Sequence, residues 1–505
     1  MKPSKLYEAL HALIGERVPL HIWGACGVGK SQIVSQVAND LDYDFLDVRA
    51  VQLDPVDLRG LPRISGDQTE ETTSGGLHFF KGRQDILDPK GGTVLAWQDA
   101  ASRVREQLND AMNAQHLSFL LGSGCSSFVS DGHEVGIPTM APLARAFLGA
   151  TGSSQSVPHL EEADAEALKV VFGIDLASAE YGRNLERLLE VLHSFRFVLE
   201  HCNKADLLDG LPAIKSAITK VTSYILHACS TGPFASGNDA VVNVYQAFYR
   251  NLSYRGRSLP RPWVFTTNYD LFNETALDRL GMPYSNGFLG TVERRFNPAS
   301  FRYSLAEQLD ISSRRWSSVD GYLYLCKLHG SVNWVEAGKS LFPLRELQVP
   351  PADSTSERVM IYPTPAKQNA SFGYPYSDLF REFQHRTVRD QSVLFVIGYS
   401  FGDEHINNII FQALTIPTFR LIALCSPGAG GVIERLRALN DPRIWIIGGA
   451  GATAERPGHY FDVFVEHFMP EPPGNKIDTA ISKVMTELSA EAEDQETPSI
   501  VVENE

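Results

Sequence analysis

Two kinds of stretch in this chain carry residues suited to chemistry. The first is "GACGVGKS", Gly24 to Ser31, which satisfies the G-x-x-x-x-G-K-[ST] pattern between the strand-like "PLHIW" and the helix-like "SQIVSQVAND". In that setting backbone N–H groups around Gly24, Gly27 and Gly29 cradle phosphates, Lys30 reaches the outer phosphates and Ser31 holds Mg²⁺, so ATP with Mg²⁺ is the expected ligand there. The second kind is a series of apolar runs that break into small polar residues: "LSFLLGSGCSS" from Leu117, "FTTNYD" from Phe265, "LHGSVNW" from Leu328, "VIGYSFGDEHI" from Val396 and "LCSPG" from Leu424. A buried strand that ends this way ends at a solvent cleft, and open α/β sheets bind ligands at that edge. Gly122 and Gly124 close the first run and let a backbone approach a pyrophosphate without Cβ interference. A Gly-x-Gly turn lacking a third glycine is also an ordinary tight loop. The inference therefore rests on the convergence of the strand ends on one carboxyl edge.

Those strand ends need a scaffold. Apolar runs separated by helices or loops ("WVFTTN", "YLYLCKLHG", "RVMIYP", "SVLFVIGYS", "RLIALCSPG", "RIWIIGG") suit a parallel sheet covered on both faces, an α/β, Rossmann-type architecture. Between about 141 and 257 the strand pattern disappears. There "NLERLLEVLHSF" places Leu185, Leu188, Leu189 and Leu192 on one helical face, which marks a helical insertion whose leucines are core or assembly contacts. Three compositional shifts divide the chain into a partial phosphate-loop α/β unit over 1–92, a larger α/β domain with the insertion over 93–475, and an acidic, aromatic-poor tail over 476–505 expected to be disordered.

Composition narrows the function classes. At 505 residues, with 45 Lys plus Arg against 60 Asp plus Glu, the formal charge of −15 argues against a broad nucleic-acid surface, so no direct nucleic-acid partner is expected. The six cysteines (Cys26, Cys125, Cys202, Cys229, Cys326, Cys425) include no C-x-x-C pair, so neither a zinc module nor a disulfide framework is expected and a reduced, cytoplasmic setting fits. Charges break the apolar positions of the first 20 residues, and no apolar run approaches the roughly 20 residues of a spanning helix. No membrane association follows.

The order GSGCS, GIP, TTNYD, LHGS, GYSFGDEHI resembles the sirtuin fold over roughly Leu95 to Pro470, and more closely its bacterial defence-associated branch than the deacylases. The resemblance implies NAD⁺ as substrate. It implies phosphate contacts from Gly122, Ser123, Gly124, Cys125 and Ser126, a nicotinamide-riboside pocket lined by Thr267, Asn268 and Asp270, and His329 as base; Gly398 and Ser400 approach the adenosine ribose. The cysteine quartet of deacylases has no counterpart here, and "GIPTMA" lacks the arginine of their "GIPDFR"-like phrase. Without an acyl-lysine substrate, water is the natural acceptor, so the implied activity is NAD⁺ hydrolysis to ADP-ribose and nicotinamide in antiphage defence. The resemblance also implies homo-oligomers and HerA-type ATPases or sensor domains as partners.

In that reaction Asn268 orients a water, His329 accepts a proton from water or a ribose hydroxyl, and Asp270 binds the carboxamide or stabilises positive charge. Cys125 is a small residue tolerated in the loop, not a nucleophile, and Glu404 and His405 belong to a helix start; no metal ligand is assigned. Upstream, "LDPVDLRGLP" from Leu53 resembles the segment after the phosphate loop of MoxR-type AAA+ ATPases, but "GGTVLAWQDA" offers only Asp99 where an acidic pair belongs. Phosphate binding without efficient hydrolysis follows. The unit reads equally as a nucleotide sensor or as a truncated remnant, and the whole chain has rival readings as a non-catalytic NAD or ADP-ribose sensor, an ATPase or a zinc-free deacylase.

Overall fold

Runs of five or six Leu, Ile, Val and Phe residues can bury both faces of a strand, and this chain uses them so. In a computed structural model the described residues are 36, 37, 40, 76–88 and 95–470, except 131, 151–156, 179–180, 202–209, 232–238, 257, 311–314, 337–342, 351–357 and 361–373. The chain forms two units, Met1–Glu70 and Glu71–Glu505. In the first, residues 36, 37 and 40 are helical. Gly24, Gly27, Gly29, Lys30 and Ser31 lie outside the described residues, as does the 476–505 tail.

Among the described residues, the second unit is built on a nine-stranded sheet. In chain order its strands are β1 (Leu77–Lys81), β2 (Gln84–Asp85), β3 (His116–Leu121), β4 (Trp263–Thr266), β5 (Tyr284–Ser285), β6 (Leu323–Lys327), β7 (Ser392–Ile397), β8 (Arg420–Leu424) and β9 (Ile444–Gly449). Across the sheet they run β2-β1-β9-β8-β7-β3-β4-β6-β5. All pairings are parallel except those of β1 with β9 and β2. The sheet therefore starts at Leu77, ahead of the boundary expected at 93. From the central β3 the chain winds outward to β4 and β6, then crosses back to β7, β8 and β9. The order reverses between β3 and β7, which is where such sheets open a ligand crevice.

Alternation along each strand fills two cores. Leu117, Phe119 and Leu121 of β3 and Val393, Phe395 and Ile397 of β7 face one cluster with the helices α1 (Trp97–Met112), α6 (Asp239–Ser253) and α7 (Phe272–Leu280). Leu120, Leu394 and Val396 face the other, with α8 (Tyr376–Thr387), α9 (Glu404–Ala413) and α10 (Val432–Ala438). Among the described residues the helical insertion includes α2 (Met140–Gly149), α3 (Glu162–Phe172), α4 (Leu185–His201) and α5 (Leu211–Thr231), with a third core. Leu185, Leu188, Leu189 and Leu192 are all buried in it. Although α6 falls within the span read as insertion, its Val241, Tyr245, Phe248 and Leu252 pack on the sheet. The insertion core also takes in Leu271 and Val332, so it is seated against the chain that follows β4 and β6. No helix among the described residues is long and apolar enough to cross a membrane.

Candidate active site

The end of β3 and the end of β7 meet through glycine. Gly398 has φ +63°, and a Cβ there would lie 2.7 Å from the Cys125 nitrogen; a Cβ on Gly122 would lie 2.4 Å from the Gly398 oxygen. Only glycine lets the two turns pack this closely. Four backbone donors are consumed in doing so: Gly122 N–H to Ile397 O (2.9 Å), Gly124 N–H to Gly398 O (2.9 Å), Cys125 N–H to Gly122 O (3.0 Å) and Ser126 N–H to Ser123 O (3.1 Å). The sequence reading gave these glycines a phosphate to approach; here each other's backbones are what they approach. Cys125 is buried and donates its thiol to Ile397 O at 3.3 Å, and burial holds that thiol well above its ordinary value. It is not poised as a nucleophile.

The "TTNYD" turn is locked onto this pair of loops. Thr266 Oγ1 donates to Leu121 O (2.9 Å) and accepts from Asn268 N–H (3.0 Å). Asn268 donates through Nδ2 to Gly122 O and to Ser126 Oγ, both at 2.9 Å, and Ser126 Oγ donates to Asp270 Oδ2 at 2.6 Å. Asp270 Oδ1 accepts from Phe272 N–H at 3.0 Å, which opens α7. With the Asn268 N–H groups engaged, what its side chain can offer a water is the Oδ1 acceptor. Both Asp270 oxygens brace the turn.

Beneath the turn lies a buried ion pair. Lys327, the last residue of β6, is 1% exposed and sits 3.0 Å from Glu274 on α7. Its Nζ also donates to Tyr269 O at 3.3 Å and to Asp270 O. Burial raises the Glu274 carboxyl above its ordinary value and the Lys327 charge pulls it back. One cation therefore fixes two consecutive carbonyls of the turn. His329 follows two residues later, 4% exposed, its ring 6.4 Å from Tyr269, 6.3 Å from Phe380 and 5.7 Å from His405.

These groups line a cleft of about 710 Å³. Of the expected residues, Ser123, Ser126, Thr267, Asn268, Asp270, His329 and Ser400 line it, whereas Gly122, Gly124, Cys125 and Gly398 stand behind. The opposite wall belongs to the insertion: Arg183, Asn184, Glu186, Arg187 and Glu190 around the start of α4, with Ile225 and Cys229 of α5. Arg187 pairs with Glu190 at 2.6 Å. The loop from β7 to α9 supplies Tyr399, Asp403, Glu404 and His405. It is stapled by Tyr399 Oη, which accepts from Asp403 N–H at 3.1 Å, and by Asn407 Nδ2, which donates to Phe401 O at 2.8 Å. The latter bond secures Phe401 at φ +57°, a conformation that costs an aromatic residue energy.

Sequence reasoning missed Lys327 and Glu274, for which the signal was a lysine inside the apolar run "YLYLCKLHG": a buried charge requires a partner. It missed the insertion arginines, and no pattern marked them.

A parallel sheet wound both ways from β3, with polar strand ends meeting at its reversal, defines this unit as a Rossmann-type α/β domain with a ligand cleft at the switch point. Residues 262–424 match the SIR2-like domain model, so the chain carries a sirtuin-like domain over that span, from the start of β4 to the end of β8. Among solved structures, a Sir2 homologue described as a serine-to-alanine mutant in complex with ADP-ribose aligns at 13% identity and a TM-score of 0.28, over 67% of this chain and 95% of that one. Comparison with curated proteins finds no match.

Proposed function

We propose that this protein hydrolyses NAD⁺ to ADP-ribose and nicotinamide. The observation that carries the reading is the placement of Asn268 and His329 at the ends of adjacent parallel strands, both buried and both on the wall of one cleft inside a SIR2-like segment. Cleavage of the bond between ribose C1′ and nicotinamide passes through an oxocarbenium-like species, and the pyridinium leaves without a proton. No general acid is required. Asn268 Oδ1 holds the attacking water, and His329 accepts a proton from it or from a ribose hydroxyl. The Asp270 carboxylate, braced behind them, favours the cationic centre by charge.

The lining charges suit such a dinucleotide. Arg183 and Arg187, the guanidinium groups among the described lining residues, serve the diphosphate; with the amides of Gly122, Gly124, Cys125 and Ser126 engaged within the loops, the cationic contribution comes from the insertion. The carboxylates on the other positions suit a pyridinium. Unrestrained NAD⁺ depletion is toxic, so the same reading includes control by homo-oligomeric assembly or by a partner ATPase, and a role in antiphage defence.

Nicotinamide release from NAD⁺ by the purified chain tests this directly, with Asn268→Ala and His329→Ala as controls. Release lost in both variants supports hydrolysis. Saturable NAD⁺ binding without release under any condition overturns it in favour of a sensor.

A further inference from the structure

The loop from β7 to α9 brings Asp403 and His405 beside His329, and sequence spacing gave no hint of the trio because His329 follows a different strand. One ligand atom from each of the three lies within 4.8 Å of the others, and all three residues line the cleft. We propose that His329, Asp403 and His405 bind one divalent transition-metal ion of the zinc class. Resting on the hydrolase reading above, we also infer that occupancy takes His329 out of its proton-accepting role.

The donor set is two imidazoles and one carboxylate. That combination suits zinc, cobalt or nickel, whereas Mg²⁺ and Ca²⁺ prefer oxygen ligands throughout. Bonds of roughly 2.0–2.1 Å to zinc place tetrahedral ligand atoms about 3.3 Å apart, so the trio must contract by an amount on the order of 1 Å. Rotation of Asp403 and His405, both half-buried at the start of α9, can supply it. The His329 side is already fixed by its burial. Phe380 backs the site, its ring edge-on to His405 at a 4.6 Å centroid distance and 6.3 Å from His329. Because the ligands line a cavity, a fourth position faces solvent, the arrangement of open zinc sites with three protein ligands. Glu404 and Glu186 share the same lining and favour accumulation of a cation, Arg183 opposes it, and Glu190 is already paired with Arg187. The positive end of α9 opposes it, a modest term beside three direct ligands.

A metal-bound imidazole has given its lone pair to the ion and cannot also accept a proton from water or ribose. Metal binding and NAD⁺ cleavage by His329 are then mutually exclusive. Zinc would act as a brake on the enzyme, released by chelation.

The test is calorimetric titration of zinc chloride into the chelator-treated full chain, with the visible spectrum of bound Co²⁺ as a second probe. Expected are one equivalent per chain and at least a tenfold loss of affinity in His405→Ala and in Asp403→Asn, each shown to be folded by circular dichroism and thermal melting. No stoichiometric uptake, or uptake unchanged in both folded variants, overturns the site. A His405→Ala variant whose pH profile of NAD⁺ cleavage shifts while the wild type takes up no metal also overturns it, assigning the trio to a hydrogen-bonded relay. For the brake, zinc should suppress nicotinamide release by the wild type, a chelator should restore it, and the residual release of His405→Ala should not respond to zinc. Unchanged or faster release by zinc-loaded wild type overturns the brake. Metal uptake is read without turnover, so failure of the site and failure of the hydrolase reading are distinguishable.

Discussion

On the sheet side of the cleft, Asn268, Asp270 and His329 are 6%, 3% and 4% exposed, and Asn268 and Asp270 are tied to named partners in neighbouring loops. On the insertion side, Arg183 and Arg187 are exposed around the start of α4, and Arg187 leans on a partly exposed Glu190. The contrast separates two tasks. Groups that act on developing charge must be held before substrate arrives, because reorganisation at the moment of reaction costs rate. Groups that recognise phosphates can stay solvated, and they give up side-chain entropy only on binding. On the proposed reading, the sheet edge supplies preorganisation and the insertion supplies recognition.

The sharpest way to break this division is at its rigid end. His329→Ala and Asn268→Ala should each lower the rate of nicotinamide release by roughly 10²–10⁴-fold, the range for removing a general base or its orienting partner, with KM nearly unchanged. If both variants stay within tenfold of the wild type, the sheet wall is not where the chemistry occurs. Ser126→Ala tests the same point indirectly. It removes the hydroxyl that joins Asn268 to Asp270, so the rate should fall while the fold persists.

The next effect concerns what holds that wall. Lys327→Met leaves Glu274 buried without its cation, which should cost roughly 3–5 kcal/mol of stability, whereas replacing both partners with apolar residues should recover most of it. Denaturant unfolding of the single and double variants measures this. A single variant that unfolds like the wild type would show that the Asp270 turn does not depend on the pair.

How much of this was legible follows from distance along the chain. Asn268 and His329 could be read because each stands where an apolar run stops, and runs such as "SVLFVI" declare a strand buried on both faces. The amphipathic leucines of α4 were equally plain. What could not be read were contacts made between separate runs. Nothing local tells Gly122 that its neighbour is Gly398, or Lys327 that its counter-ion is Glu274. The strand "LHFFK" at Leu77–Lys81 follows a polar, glycine-rich stretch, and only its antiparallel pairing with β9 assigns it to the sheet. Arg183 and Arg187 look from sequence like any solvated helix face.

Behind the sheet wall lies a smaller, pH-dependent term. Glu346, in the five-stranded second sheet, accepts from Asn286 Nδ2 at 2.7 Å and pairs with Arg294 at 2.8 Å, yet burial pushes its carboxyl up to about 7 against that pairing. Between its ordinary value of 4.5 and about 7 the folded protein keeps a proton that the unfolded chain has lost, so stability falls as pH rises through that window. Below it both states are protonated, and above it both are ionised with the penalty fully present. Glu346→Gln should therefore gain on the wild type as pH rises through this interval and hold a constant difference beyond it. Unfolding midpoints of the two proteins across pH 4–8 check this; parallel profiles would show that the Arg294 pairing offsets the burial.

The smallest effect belongs to the exposed wall, and its form matters more than its size. A solvated arginine on a diphosphate stabilises ground state and transition state alike, so Arg183→Ala should raise KM for NAD⁺ by about fivefold and leave kcat in place. Arg187→Ala should do less, because its guanidinium is already shared with Glu190. Added salt should shrink the difference between Arg183→Ala and the wild type, since screening weakens exposed pairs far more than the buried network across the cleft. The opposite pattern, a fall in kcat at constant KM, would place Arg183 among the preorganised groups. The insertion would then be part of the chemical machinery, and the sheet edge would not suffice for catalysis without it.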